Sequence, residues 1–104
     1  MNGQDDKAIT LEACMALASE VGRLYSERFD TPNDARFALM KLGEEVGELT
    51  GAWLRVHAQS RGTASRADMA DELADVLGFL LVFAAREGID PAQALQDKWG
   101  QYRD

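Results

Sequence analysis

From Leu73 to Ala85 the chain carries a single charged residue, Asp75. The surrounding segment begins at a Ser65/Asp68 pair and ends near Gly88, and it shows no strand-period alternation, so it reads as a helix. A helix that is apolar nearly all round has to be buried on more than one side. In a chain of 104 residues the other elements must be arranged about it, and the second covering surface is expected from another subunit.

Three further helices complete an all-α, four-helix bundle expected to form one domain over residues 1 to 104, with residues 1 to 8 as a tail. The first runs from about Thr10 to Arg28, with Leu11, Met15, Ala18, Val21 and Leu24 at helical spacing. Thr31, Pro32 and Asp34 suit the N-cap, N1 and N3 positions of the second helix, which runs to about Gln59. Its apolar stripe is Leu39, Leu42, Val46, Leu49 and Trp53. Asp90, Pro91 and Gln93 open the fourth helix as cap, N1 proline and N3 partner. Gly43, Gly47 and Gly51 recur along one side of the second helix. Each costs about 1 kcal/mol relative to alanine, so the stripe suggests a groove for a close-packed helix backbone.

The net charge of −7 argues against nucleic acid polymers and anionic membranes as main partners. A nucleotide stays compatible, because bound cations invert a local field. The lone Cys14 cannot form an internal disulfide, and Met1 to Lys7 does not read as a signal peptide, so a cytoplasmic setting is expected. The uncharged run from Val76 to Ala85 is too short to span a bilayer.

Two acidic clusters, Glu44-Glu45-Val46-Gly47-Glu48 and Asp71-Glu72-Leu73-Ala74-Asp75, sit on the second and third helices. Glu45 and Glu48 are spaced i, i+3, as are Glu72 and Asp75, so each pair shares a helix side. Like charges at such spacings repel, and Lys41 is the one cation within a turn of the first cluster. Asp75 shares its helix side with Phe79 and Val82, where a carboxylate resists ionising unless a cation or hydrogen bonds hold it. Two such helices side by side can surround a divalent cation with Glu45, Glu48, Glu72 and Asp75. Mg²⁺ is the expected cofactor, with Mn²⁺ possible. His57 is the only histidine, so no histidine-based metal site is available.

The stretches KLGEEVGEL and DELADVLGFLLVFAAREGID resemble the MazG-type nucleotide pyrophosphohydrolases, whose signature is EExxE, a spacer, then ExxD. The resemblance covers about residues 37 to 98, roughly 60% of the chain, including a GID-x-x-x-A-x-x-x-K ending. It implies an all-α fold and Mg²⁺-dependent cleavage of a nucleoside triphosphate between its α and β phosphates. It implies Glu45, Glu48, Glu72 and Asp75 as metal ligands, and Glu44 as general base or as outer ligand to a second metal. Lys98 matches a lysine suited to phosphate, and Arg103 stands where an arginine is expected, although the asparagine usual in that region has no match. Both cations also suit the helix-end dipole. Lys41 is a third candidate for the outer phosphates. Trp53, Trp99, Phe29 and Tyr25 are candidates to stack a base, with core packing the competing role for Trp53. The apolar circumference of the third helix implies at least a homodimer, and the resemblance to short proteins of this type implies, more specifically, a homotetramer.

The same motif is similar to that of the phosphoribosyl-ATP pyrophosphatases. Their tyrosine-histidine pair after ExxD is replaced here by Gly78-Phe79. A non-enzymatic reading, a metal-binding helical interaction module, is the remaining alternative. Mg²⁺-dependent pyrophosphate release separates it from both enzymatic ones.

Overall fold

The computed structural model describes residues 8–103. It contains four α-helices, α1 (Leu11–Phe29), α2 (Ala35–Val56), α3 (Arg66–Glu87) and α4 (Pro91–Trp99), followed by a single 3₁₀ turn (Gly100–Tyr102). There is no strand among the described residues. The tail expected over residues 1 to 8 lies, up to Lys7, outside them.

The helix starts follow from side-chain oxygens that satisfy free backbone N–H groups. The Thr10 hydroxyl accepts from Ala13 N–H at 3.0 Å. Ser65 and Asp68 form a reciprocal capping box. Asp90 accepts from the N–H groups of both Ala92 and Gln93, while the Gln93 side chain donates to Asp97 instead of returning to the cap. The start of α2 differs from expectation, because Asp34, not Thr31, is the N-cap and accepts from Phe37 N–H at 2.8 Å. Thr31 belongs to the end of α1. Its N–H donates to the Ser26 carbonyl, its own carbonyl accepts from the Ser26 hydroxyl, and its hydroxyl is buried without a partner.

Three helices end in the same way, with a residue in the left-handed region: Asp30 at φ 52°, Ala58 at φ 55° and Gly88 at φ 68°. The 6→1 bond that closes such an end runs from Thr31 to Ser26, from Gln59 to Leu54 and from Ile89 to Ala84. This explains why α2 stops at Val56 instead of near Gln59.

α3 is the central element, packed against α2 along most of its length and against α1 on another side. The buried residues are Leu81, Val82 and Ala84 of α3 with Ala38 and Ala52 of α2. Alanines at the α2–α3 contact let the two backbones come close. α1 and α2 dock on α3 without packing extensively on each other, which leaves a groove between them. α4 does not join as a full fourth member of the bundle, and its main packing is with the 3₁₀ turn that continues it. The radius of gyration of 16.2 Å exceeds the ~13 Å typical of a compact chain of this size.

A large apolar surface is left uncovered. On α3 it is Leu73, Leu77 and Leu80, at 56, 41 and 42% exposure. Val82, by contrast, is buried, and Phe79 and Phe83 are half-buried. On α2 the expected core residues Leu39, Val46 and Trp53 are exposed, and Trp53 stacks on His57 at 4.0 Å. Among the described residues no atom lies within 4 Å of a Cβ built on Gly43 or Gly47, so no described helix packs on that side. No helix among the described residues is long and apolar enough to cross a membrane.

Candidate active site

Two helices bring the acidic clusters together. Glu45 of α2 with Glu72 and Asp75 of α3 place carboxylate oxygens within 4.8 Å of one another. Glu48 is not among them. Its side chain is exposed. Asp75 is also exposed, not shielded by Phe79 and Val82 as its spacing suggests.

Glu45 is the enclosed member, its side chain 13% exposed. Burial, then the Asp75 carboxylate, raise its carboxyl above the ordinary value; Lys41 opposes this, and Glu72 and Glu44 add to it. Lys41 is the cation at the edge of the cluster. Its ammonium lies 3.2 Å from Glu44 and 4.0 Å from Glu45, and 5.8 Å from the Phe79 ring centre. Glu44 is the solvent-facing neighbour, its side chain 58% exposed. One lysine against four carboxylates leaves negative charge uncompensated, and a hard all-oxygen donor set of this kind suits Mg²⁺ or Mn²⁺. The residues present therefore fit a divalent ion.

The carboxylates open onto a cavity of about 330 Å³ in the groove between α1, α2 and α3. Glu45, Asp75 and Lys41 line one part of it. Tyr25, Phe37, Phe79 and Val82 supply apolar walls, and Asn33 contributes an amide. Of the aromatic candidates only Tyr25 lines this space. Phe29 packs on Tyr25 at 4.7 Å between ring centres, and Trp53 and Trp99 are not in the lining. Lys98 and Arg103 are also outside it. Both are in or just after α4, and the Arg103 guanidinium donates to Gln96 at 3.2 Å. Asn33 and Phe37 were not legible as site residues, since each reads locally as part of a helix start.

No curated protein and no solved structure gives a significant match to this chain. The family model for phosphoribosyl-ATP pyrophosphohydrolase matches residues 23–97, a span that holds both acidic clusters and most of the cavity lining. The chain thus belongs to the phosphoribosyl-ATP pyrophosphohydrolase family, all-α pyrophosphohydrolases of the MazG-like superfamily.

Proposed function

We propose that this protein is a divalent-metal-dependent pyrophosphohydrolase that cleaves a nucleoside triphosphate to a nucleoside monophosphate and pyrophosphate. The observation that carries the reading is the meeting of Glu45, Glu72 and Asp75 at a cavity large enough for a nucleoside. Glu48 is proposed as a fourth ligand. It is exposed, and no hydrogen bond or ion pair among the described residues holds it elsewhere. A cation bound by these carboxylates neutralises and orients the triphosphate.

The rest falls to the chain's own groups. Glu44 adjoins the ligand set, is open to solvent and is the proposed general base. It accepts the proton of a water whose oxygen attacks the α phosphorus. The bond from that phosphorus to the α,β-bridging oxygen breaks, and pyrophosphate leaves with the electron pair. Lys41 touches both Glu44 and Glu45 and can turn its ammonium toward the phosphates. Lys98 and Arg103 are proposed for the outer phosphates only in an assembly where α4 is brought to the cluster.

The family match favours a second substrate, phosphoribosyl-ATP, which carries the same α,β anhydride. The replacement of tyrosine-histidine by Gly78-Phe79 weighs against it. A panel of ribo- and deoxyribonucleoside triphosphates plus phosphoribosyl-ATP, assayed with Mg²⁺ in ¹⁸O-labelled water, tests both. Pyrophosphate release with label in the monophosphate is expected. Orthophosphate with a nucleoside diphosphate, or no turnover of any member, overturns the proposal in favour of other chemistry or a metal-binding interaction module.

A further inference from the structure

The cavity beside the carboxylates has an unassigned polar group, the side-chain amide of Asn33. Asn33 lines the apolar space and is half-buried. Its amide has no hydrogen-bond partner among the described residues, unlike its neighbour Asp34, whose carboxylate caps α2. An amide offers two donors and an acceptor, and with no protein partner these stay free to pair with a ligand in the cavity. The walls are also suited to a flat ring, with Tyr25 on α1 and Phe37 and Phe79 on the other two helices. Gly22 keeps the space open: a Cβ there would sit 3.5 Å from Val82 and 3.7 Å from the Asn33 Oδ1.

We infer that this cavity seats the heterocyclic base of the nucleotide and that Asn33 is the specificity-determining residue, reading the base's hydrogen-bonding edge while the phosphates lie toward Glu45 and Asp75. The inference rests on the proposed nucleotide chemistry, since the carboxylates supply the direction of the phosphates. Every common base presents adjacent donor and acceptor groups that a carboxamide can pair with. The choice among bases is then set by how far the edge reaches Asn33 across a space bounded by Gly22 and Val82.

Two variants test this. Asn33→Leu keeps the side-chain size and removes the pairing groups. It is expected to raise KM for the preferred nucleotide about fivefold to tenfold and to flatten the KM differences across the panel. Gly22→Ala adds a methyl at ordinary contact distance and favours the helix, so it should fold; it is expected to raise KM more for purine than for pyrimidine nucleotides. A binding measurement separates this from the catalytic reading. Phosphate-free nucleosides, added without metal, should shift the NMR resonances of Tyr25, Phe37 and Phe79 in the wild type and less so in Asn33→Leu. Such shifts without pyrophosphate release from any nucleotide would reject the catalytic proposal and keep the base seat. Turnover with unchanged KM ratios in both variants, nucleoside shifts confined to other residues, or no shifts at millimolar nucleoside would overturn the base seat.

Discussion

Glu45 of α2 and Asp75 of α3 are 30 positions apart in the chain, yet each offers a carboxylate oxygen within 4.8 Å of the other. Neither has a basic residue of α3 against it; among the described residues the one ammonium near Glu45 is Lys41, at 4.0 Å. Two like charges so placed destabilise the ion-free fold and favour whatever cation joins them. Manganese titration followed by electron paramagnetic resonance should therefore find saturable binding. Glu45→Gln and Asp75→Asn are expected to weaken it at least about tenfold and to abolish pyrophosphate release. The same variants should unfold at equal or higher urea concentration than the wild type without metal, because each removes repulsion. Unchanged Mn²⁺ affinity in both would remove the metal assignment. Glu48→Gln should also weaken binding; wild-type affinity there would limit the ligand set to the three grouped carboxylates.

Glu44 differs from Glu45 in facing solvent and in holding Lys41 at 3.2 Å. A base needs access to water more than it needs the ion. Glu44→Gln is expected to lower kcat by about 10²- to 10⁴-fold while Mn²⁺ affinity changes much less than in Glu45→Gln. Equal losses of rate and metal affinity in Glu44→Gln would make Glu44 a ligand and leave the base unassigned.

The start of α3 sets the position of Glu72 and Asp75, and the Ser65/Asp68 box holds it. Asp68 accepts from Ser65 N–H at 2.8 Å, and its own N–H donates to the Ser65 hydroxyl at 3.0 Å. The backbone bond from Ser65, then the bond to its side chain, hold the Asp68 carboxyl below its ordinary value. For a carboxyl lowered by folding, the stabilisation is complete above the unfolded-state pKa and is lost as pH falls through the lowered value. Asp68→Asn should accordingly flatten the acid limb of the stability curve, and Ser65→Ala should cost about 1 kcal/mol at neutral pH. Thermal unfolding between neutral pH and pH ~3 checks both. An acid limb in Asp68→Asn identical to the wild type would show that the box contributes no pH dependence.

The four helices, the Ser65 and Asp90 caps and the acidic pairs at helical spacing were legible because each has a local signature. Periodicity, capping residues and like-charge spacing all act within one or two turns. The cavity was not legible, because it arises from how α1 and α2 straddle α3, and Asn33, eight residues after Tyr25, reaches the same space only because the chain reverses between α1 and α2. The exposure of the α2 stripe is not legible for a related reason. Leu39, Val46 and Trp53 form a regular stripe, and a stripe does not say whether its partner is in the same chain. The end of α2 was hidden by chemistry, since Ala58 takes the left-handed position that glycine usually marks.

That alanine yields a prediction of its own. A left-handed conformation costs an alanine about 1–2 kcal/mol, and a glycine there loses part of this gain through its greater freedom when unfolded. Ala58→Gly should raise stability by about 0.5–1 kcal/mol, read as a higher urea midpoint. A destabilised Ala58→Gly would mean that the α2 terminus departs from the closed 6→1 geometry in solution.

The uncovered apolar surface gives the last expectation. Leu73, Leu77 and Leu80 are spaced i, i+4 and i+7 on α3 and are each more than 40% exposed. On α2, Leu39, Val46 and Trp53 are spaced by seven and similarly exposed, beside the open sides of Gly43 and Gly47. Among the described residues five hydrophobic side chains are buried by the single chain, too small a core for a stable domain of this length. We propose that a second copy covers these stripes, with further pairing into a tetramer, and that α4 gains its packing there. Light scattering of the wild type at micromolar concentration should give a dimer or tetramer. Leu77→Glu places a charge in the middle of the α3 stripe. It should shift the assembly toward monomer and lower the melting temperature in a concentration-dependent way. A wild-type protein that is monomeric and cooperatively folded at that concentration would leave the stripes unexplained and reject self-association as their cover.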